Sequence, residues 1–169
     1  MKAAIGALVI FISSVALADN HEHKPAKVSP EFESMKALVG TWEGKAKVHG
    51  KDETVKVVYE LTSGGTTIVE KLGPGTPMEM VTVYSSNGKT TSATHYCMAG
   101  NQPQLALKNA KGNSFTFEMV GTNGIADANE MHMHAVTLTV KGNKLKQEWT
   151  SYKDGKKGEM QIFELTKKI

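Results

Sequence analysis

Four side chains able to bind metals or do catalytic chemistry occur in two short pairs, His95 with Cys97 and His132 with His134. Residues two apart in a β-strand lie on the same face of the sheet. Imidazole and thiolate bind zinc and copper, and thioether sulfur binds Cu(I). Strands that turn these pairs inward would create either the polar contacts of a ligand pocket or a metal site.

The alternation of apolar residues predicts which way the second pair points. His132 and His134 share their register with Val136, Leu138 and Val140. An aliphatic face of this kind is typical of the buried side of a strand. We therefore expect both imidazoles to point into the interior.

Two methionines are expected beside the first pair. Counting back across the predicted Asn87-Gly88 turn places Met80 near His95 and Met78 near Cys97. A two-residue Asn-Gly hairpin fixes the register in this way. The expected cluster therefore contains thioether, thiol and imidazole groups.

The elements that position these residues are mostly short strands. Ser29 and Pro30 begin a short amphipathic helix that Gly40 ends. Period-two patterning then predicts about ten strands, separated by turn signals: Trp42–Val48, Thr54–Leu61, Thr66–Leu72, Met78–Ser85, Thr90–Met98, Gln104–Lys108, Ser114–Val120, Glu130–Val140, Lys144–Tyr152 and Glu159–Thr166. The predicted fold is all-β, an antiparallel up-and-down β-barrel with one short N-terminal helix, and a sandwich is the alternative.

Strand parity in such a meander predicts where the two pairs meet. The end of the fifth strand and the start of the eighth lie at the same end of the barrel, together with Glu70 near the end of the third. The helix precedes the first strand and should cover the opposite end. This convergence requires that both Gln104–Lys108 and Ser114–Val120 are strands.

Several segments resemble known barrels. Leu38-Val39-Gly40-Thr41-Trp42-Glu43-Gly44 resembles the start of calycin-type barrels, namely lipocalins, fatty-acid-binding proteins and nitrobindin-like haem barrels. The segments 77–84, 94–103 and 132–134 resemble a group of secreted bacterial lipocalin-like proteins. The resemblance implies a barrel fold and ligand binding but no established reaction, and the haem-ligating region of the nitrobindin-like barrels has no match here.

The first residues indicate export. Residues 1–18 have the charged start, apolar middle and Ala-Leu-Ala end of a signal peptide, which predicts a periplasmic or secreted protein. Residues 19–28 are expected to be a flexible lead-in, followed by a single calycin-like barrel domain over 29–169. Cleavage after Ala18 would place His21 at mature position three, where amine, amide and imidazole nitrogens can bind Cu²⁺ or Ni²⁺; a solvated tail is the alternative.

Composition and missing motifs narrow the function. All 20 basic residues are lysine, so the guanidinium groups that favour nucleic-acid recognition are absent and no nucleic-acid partner is expected. The apolar leader is too short for a stable membrane anchor. The common hydrolase, nucleotide-binding and zinc-protease motifs are missing, which disfavours catalysis. Aromatic residues form only 7% of the chain, which favours a small or flexible guest over a large flat one.

The sequence thus predicts an exported barrel that binds a small apolar or amphipathic ligand. The predicted ligand contacts are Trp42, Glu70, Met80, His95, Cys97, His132, His134 and Trp149. The first alternative is a copper or zinc protein whose ligands are His95, Cys97, His132, His134 and His21. An enzyme acting in the barrel mouth and a secreted interaction module are the remaining alternatives.

Overall fold

The computed structural model describes residues 26–48, 51–125, 127 and 129–169. Helix α1 spans Pro30–Met35 and continues into a 3₁₀ turn at Lys36–Leu38. Ten strands follow: β1 Gly40–Val48, β2 Lys51–Thr62, β3 Thr67–Leu72, β4 Met80–Ser86, β5 Thr91–Tyr96, β6 Gln102–Lys111, β7 Ser114–Asn123, β8 His132–Lys141, β9 Lys144–Lys153 and β10 Lys156–Lys167.

The ten strands form one closed antiparallel barrel. Each strand pairs with its neighbours in the sequence, and β1 also pairs with β10 from Trp42 opposite Lys167 to Ala46 opposite Phe163. Closure leaves no sheet edge with unpaired backbone groups. The predicted all-β up-and-down barrel is confirmed, and the alternative sandwich is wrong.

Both strands on which the parity argument depended are present. β6 runs over Gln102–Lys111, which is longer than predicted at both ends, and β7 runs over Ser114–Asn123. Breaks in the register between them, near Gln104 and again near Leu107, do not interrupt the pairing. The end of β5 and the start of β8 therefore lie at the same end of the barrel.

The short helix covers the opposite end. The Ser29 hydroxyl caps α1 by accepting a hydrogen bond from the Phe32 amide at 3.1 Å. Phe32, Met35 and Leu38 have no exposed surface. The Trp42 indole donates a hydrogen bond to the Leu38 carbonyl at 2.6 Å, which joins the helical segment to β1. Among the described residues, no helix has the length and apolar character that a membrane crossing requires.

Candidate functional site

A cavity of about 470 Å³ occupies the open end of the barrel. Inward residues of β2, β3, β4, β8 and β10 form its wall, and the loops after β3 and β5 form its mouth. Its lining residues are Glu53, Thr54, Val55, Lys56, Leu72, Gly73, Pro74, Thr76, Met78, Met80, Cys97, Met98, Ala99, Met131, Met133, Gln161 and Phe163. The cavity lies at the end of the barrel where β5 ends and β8 begins, and of the four side chains predicted to meet there, Cys97 lines it whereas His95, His132 and His134 do not.

Methionine is the most frequent residue type in the cavity lining. Five of the nine methionines in the chain contact it, namely Met78, Met80, Met98, Met131 and Met133. Met78, Met98 and Met131 are 43%, 51% and 39% exposed at the mouth, whereas Met133 is buried inside. Methionine side chains are flexible and polarizable, so a wall made of them adapts to guests of different shapes.

The register of β4 and β5 brings Met80 next to Cys97. Val81 lies opposite Tyr96, so the next inward position on each strand belongs to Met80 and to Cys97. The prediction that paired Met80 with His95 is wrong by two residues. The cause is the turn, because Ser86 pairs with Thr91 and leaves a loop of four residues where a two-residue Asn-Gly loop was expected.

The side chain of Asn87 organises this longer loop. Its Oδ1 accepts hydrogen bonds from the amides of Lys89 at 3.0 Å and Thr90 at 2.9 Å. Asparagine commonly stabilises turns through such contacts with the following backbone. The Asn-Gly pair correctly indicated a turn, and the additional hydrogen bonds to Asn87 set its length.

His95 lies one inward position deeper than Cys97 and is 2% exposed. Its Nδ1 lies 2.9 Å from the hydroxyl of Thr82, and its ring centroid lies 4.7 Å from that of Trp149. Its Nε2 has no hydrogen-bond partner among the described residues. Burial lowers the pKa of His95 to about 4, so the imidazole is neutral at neutral pH.

Glu70 is also inside the barrel, in a hydrogen-bonded cluster below the cavity. Its carboxyl group accepts from the Tyr84 hydroxyl at 2.7 Å and from the Gln147 amide at 2.8 Å. The Gln147 amide also donates to the Tyr59 hydroxyl. Burial raises the pKa of Glu70 to about 7, and the hydrogen bonds from Tyr84 and Gln147 oppose that rise. Glu70 was predicted as a ligand contact, but it does not line the cavity.

A β-bulge near the start of β8 changes the faces of its residues. Met133 lies opposite Ser151 and Ala135 lies opposite Thr150, so His134 is the additional residue of the bulge. An inserted residue shifts the alternation of faces by one position. Nothing in the composition of this segment marks the bulge, because the alternating pattern reads continuously through it.

As a result, the second histidine pair lies on the outward face of β8, which we call the outer wall, although His132 is only 5% exposed there. Met133 lines the cavity and Val136 is fully buried, so both point inward. His132 shares the outer face with Tyr152, which lies opposite it on β9, and the His134 ring centroid lies 4.2 Å from that of Tyr152. The prediction that both histidines point inward is wrong.

The other predicted residues also lie away from the cavity. Trp42 is buried at the helix-covered end, and Trp149 packs against His95 below the cavity. His21 lies outside the described residues. Of the predicted ligand contacts, Met80 and Cys97 line the cavity, and so does Met78, which was expected in the same cluster. Sequence reasoning did not select other lining residues such as Met133 and Phe163. In the part of the chain that the structure describes, no group of three or more His, Cys, Asp or Glu side chains could hold a metal ion.

Comparisons with known proteins bear on the fold. No protein family model matches the chain, and no curated protein matches it either. Among solved structures, the crystal structure of Rv2717c from M. tuberculosis matches with a TM-score of 0.61 and 13% sequence identity, over 85% of this chain and 100% of that chain. At this identity, the likeness shows the barrel fold alone.

Proposed function

We propose that this protein is an exported calycin-like barrel that binds a small apolar or amphipathic molecule in the cavity at its open end. The observation that carries the proposal is the cavity itself, whose buried wall includes Leu72, Met133 and Phe163. Its volume of about 470 Å³ falls within the roughly 300–1,000 Å³ of small-molecule sites. Export rests on residues 1–18, which lie outside the described residues.

The distribution of polar groups supports an amphipathic guest. Glu53, Lys56, Thr76 and Gln161 contribute to the cavity lining, while its wall includes aliphatic, thioether and aromatic groups. An apolar body inside the barrel would exclude water, and a polar end would remain near these side chains or in solvent. The Cys97 thiol is a weak hydrogen-bond donor among the thioethers, and a ligand carbonyl could accept from it.

Filling the cavity with protein tests the proposal. The probe is 1-anilinonaphthalene-8-sulfonate, an amphipathic dye whose emission rises in apolar surroundings. Met133→Trp places a larger side chain in the cavity, and we expect it to weaken dye binding at least about tenfold, or about 1.4 kcal/mol. The matched control is Met160→Trp, which changes a methionine that is 46% exposed and does not line the cavity.

Two measurements make the result decisive. Circular dichroism and thermal unfolding establish that both variants retain the barrel, since overpacking can destabilise a core by about 1–3 kcal/mol. Equal dye affinity in a folded Met133→Trp variant and in the wild type would contradict binding in the cavity. Equal weakening by Met160→Trp would show that the dye binds elsewhere on the barrel.

A further inference from the structure

On the outer wall of the barrel, beside its open end, two imidazole nitrogens lie close together. Nε2 of His132 is 3.4 Å from Nδ1 of His134. Side chains two residues apart on a regular strand are separated by roughly 7 Å along the strand. The bulge at His134 is what brings these two rings together.

The hydrogen bonding of His132 directs a lone pair toward His134. Nδ1 of His132 lies 2.9 Å from the carbonyl oxygen of Glu130. A carbonyl oxygen only accepts hydrogen bonds, so this Nδ1 carries the proton and Nε2 of the neutral ring carries the lone pair. Histidines that bind metals in proteins are commonly oriented in this way, with the second ring nitrogen donating to a backbone carbonyl or a carboxylate.

We propose that Nε2 of His132 and Nδ1 of His134 together bind a zinc ion. Zn–N bonds of roughly 2.0–2.1 Å at tetrahedral angles hold two nitrogens roughly 3.3–3.4 Å apart. The 3.4 Å between these two nitrogens matches that separation. Adjacent donors in a square plane with similar bond lengths would be only about 2.9 Å apart, so the pair favours tetrahedral coordination.

The surroundings of the pair suit a divalent cation. The Glu118 carboxylate acts electrostatically on His134 from the adjacent strand β7 and would offset part of the added positive charge. Without zinc, Nδ1 of His134 donates a hydrogen bond to Nε2 of His132. When zinc binds, the His134 proton moves to its own Nε2, which frees Nδ1 for the metal, and water fills the remaining coordination positions.

This site differs from the metal site predicted from the sequence. That prediction combined both histidine pairs in the barrel interior, whereas the zinc site uses only the outer-wall pair. His132 lies between Met131 and Met133, which line the cavity. The site and the cavity therefore occupy opposite sides of the same short segment of β8.

Calorimetric titration of the untagged full chain with zinc chloride tests the proposal. We expect one zinc ion per chain, with an association constant that falls at least about tenfold in His132→Ala and in His134→Ala. His23→Ala and His49→Ala are the controls, and they should bind zinc as the wild type does. Unchanged binding in both outer-wall variants, or binding lost through a control substitution, would overturn the proposal.

A second measurement keeps the test valid if the variants fold poorly. In the wild type labelled with ¹⁵N-histidine, zinc should shift the resonances of His132 Nε2 and His134 Nδ1. The resonances of His95, which is buried in the interior, should stay unchanged. Zinc-dependent shifts at other histidines, with none at this pair, would also overturn the proposal.

Discussion

Replacing Glu70 with glutamine should change how the stability of the barrel depends on pH. The pKa of Glu70 is about 7 in the folded protein, compared with an ordinary value of 4.5. Between these values the folded chain keeps a proton that the unfolded chain releases. The free energy of unfolding therefore falls as the pH rises, and the stability that neutral Glu70 contributes below pH 4.5 is lost as the pH passes about 7.

The size of the effect follows from the shift in pKa. A shift of one unit corresponds to about 1.4 kcal/mol, so this carboxyl group makes the free energy of unfolding depend on pH by about 3 kcal/mol. Glutamine resembles the protonated acid, because both offer one acceptor oxygen and a donor. It can therefore keep hydrogen bonds to Tyr84 and Gln147. Glu70→Gln should match the wild type near pH 4.5 and be about 3 kcal/mol more stable above pH 7.

Urea unfolding followed by tryptophan fluorescence at a series of pH values measures this difference. Taking the difference from the wild type at each pH removes the contribution of groups that titrate alike in both proteins. The control is Glu60→Gln, which changes a carboxylate on the surface that pairs with Lys71 at 2.8 Å. A difference between Glu70→Gln and the wild type that stays constant from pH 4.5 to pH 8 would refute the reasoning.

Three further substitutions test other parts of the account, each through the free energy of unfolding. Burial lowers the pKa of His95 from 6.5 to about 4, so the stability that neutral His95 contributes is lost as the pH falls through this range. His95→Gln lacks this loss, so its free energy of unfolding relative to the wild type should rise by about 3 kcal/mol between pH 6.5 and pH 4. Trp42→Phe leaves the Leu38 carbonyl without its indole donor and should lower the free energy of unfolding in urea by about 1–3 kcal/mol. Dye affinity should stay unchanged; weaker dye binding would support the role of Trp42 as a ligand contact that the sequence predicted. Ser29→Ala removes the helix cap and should cost about 0.5–2 kcal/mol in thermal unfolding, and no loss would contradict the capping role.

The overall barrel could be predicted because the sequence signals for its strands and turns are local and recur along the chain. Period-two alternation and turn residues mark each strand independently, so errors of a few residues at strand ends do not alter the topology. Parity then places the helix and the open mouth at opposite ends. The helix itself was predictable from Ser29 and Pro30, which occupy its cap and first position.

The side-chain site was harder to predict because it depends on register, and small irregularities change register without a local signal. A four-residue loop at Asn87 moved Met80 from His95 to Cys97. The bulge at His134 moved both histidines of that segment to the outer wall. A single inserted residue reverses which face each residue beyond the bulge points to, so alternation along the sequence no longer predicts the inward side chains there.

The partners of Glu70 illustrate a signal that was present but not used. Gln147 stands in register with Leu145 and Trp149, which are both buried. A polar residue between two inward apolar residues must find a hydrogen-bond partner inside, since burying it unpaired is costly. That rule would have pointed to an interior polar cluster, although not to its individual members.

Protection of Cys97 from alkylation tests ligand binding in the cavity most directly. This thiol is the single cysteine of the chain and lines the cavity, so N-ethylmaleimide reports on that location alone. Mass spectrometry gives the alkylation rate with and without saturating 1-anilinonaphthalene-8-sulfonate. The account predicts that the dye slows alkylation in the wild type and that Met133→Trp removes this protection. An alkylation rate that saturating dye leaves unchanged would contradict it.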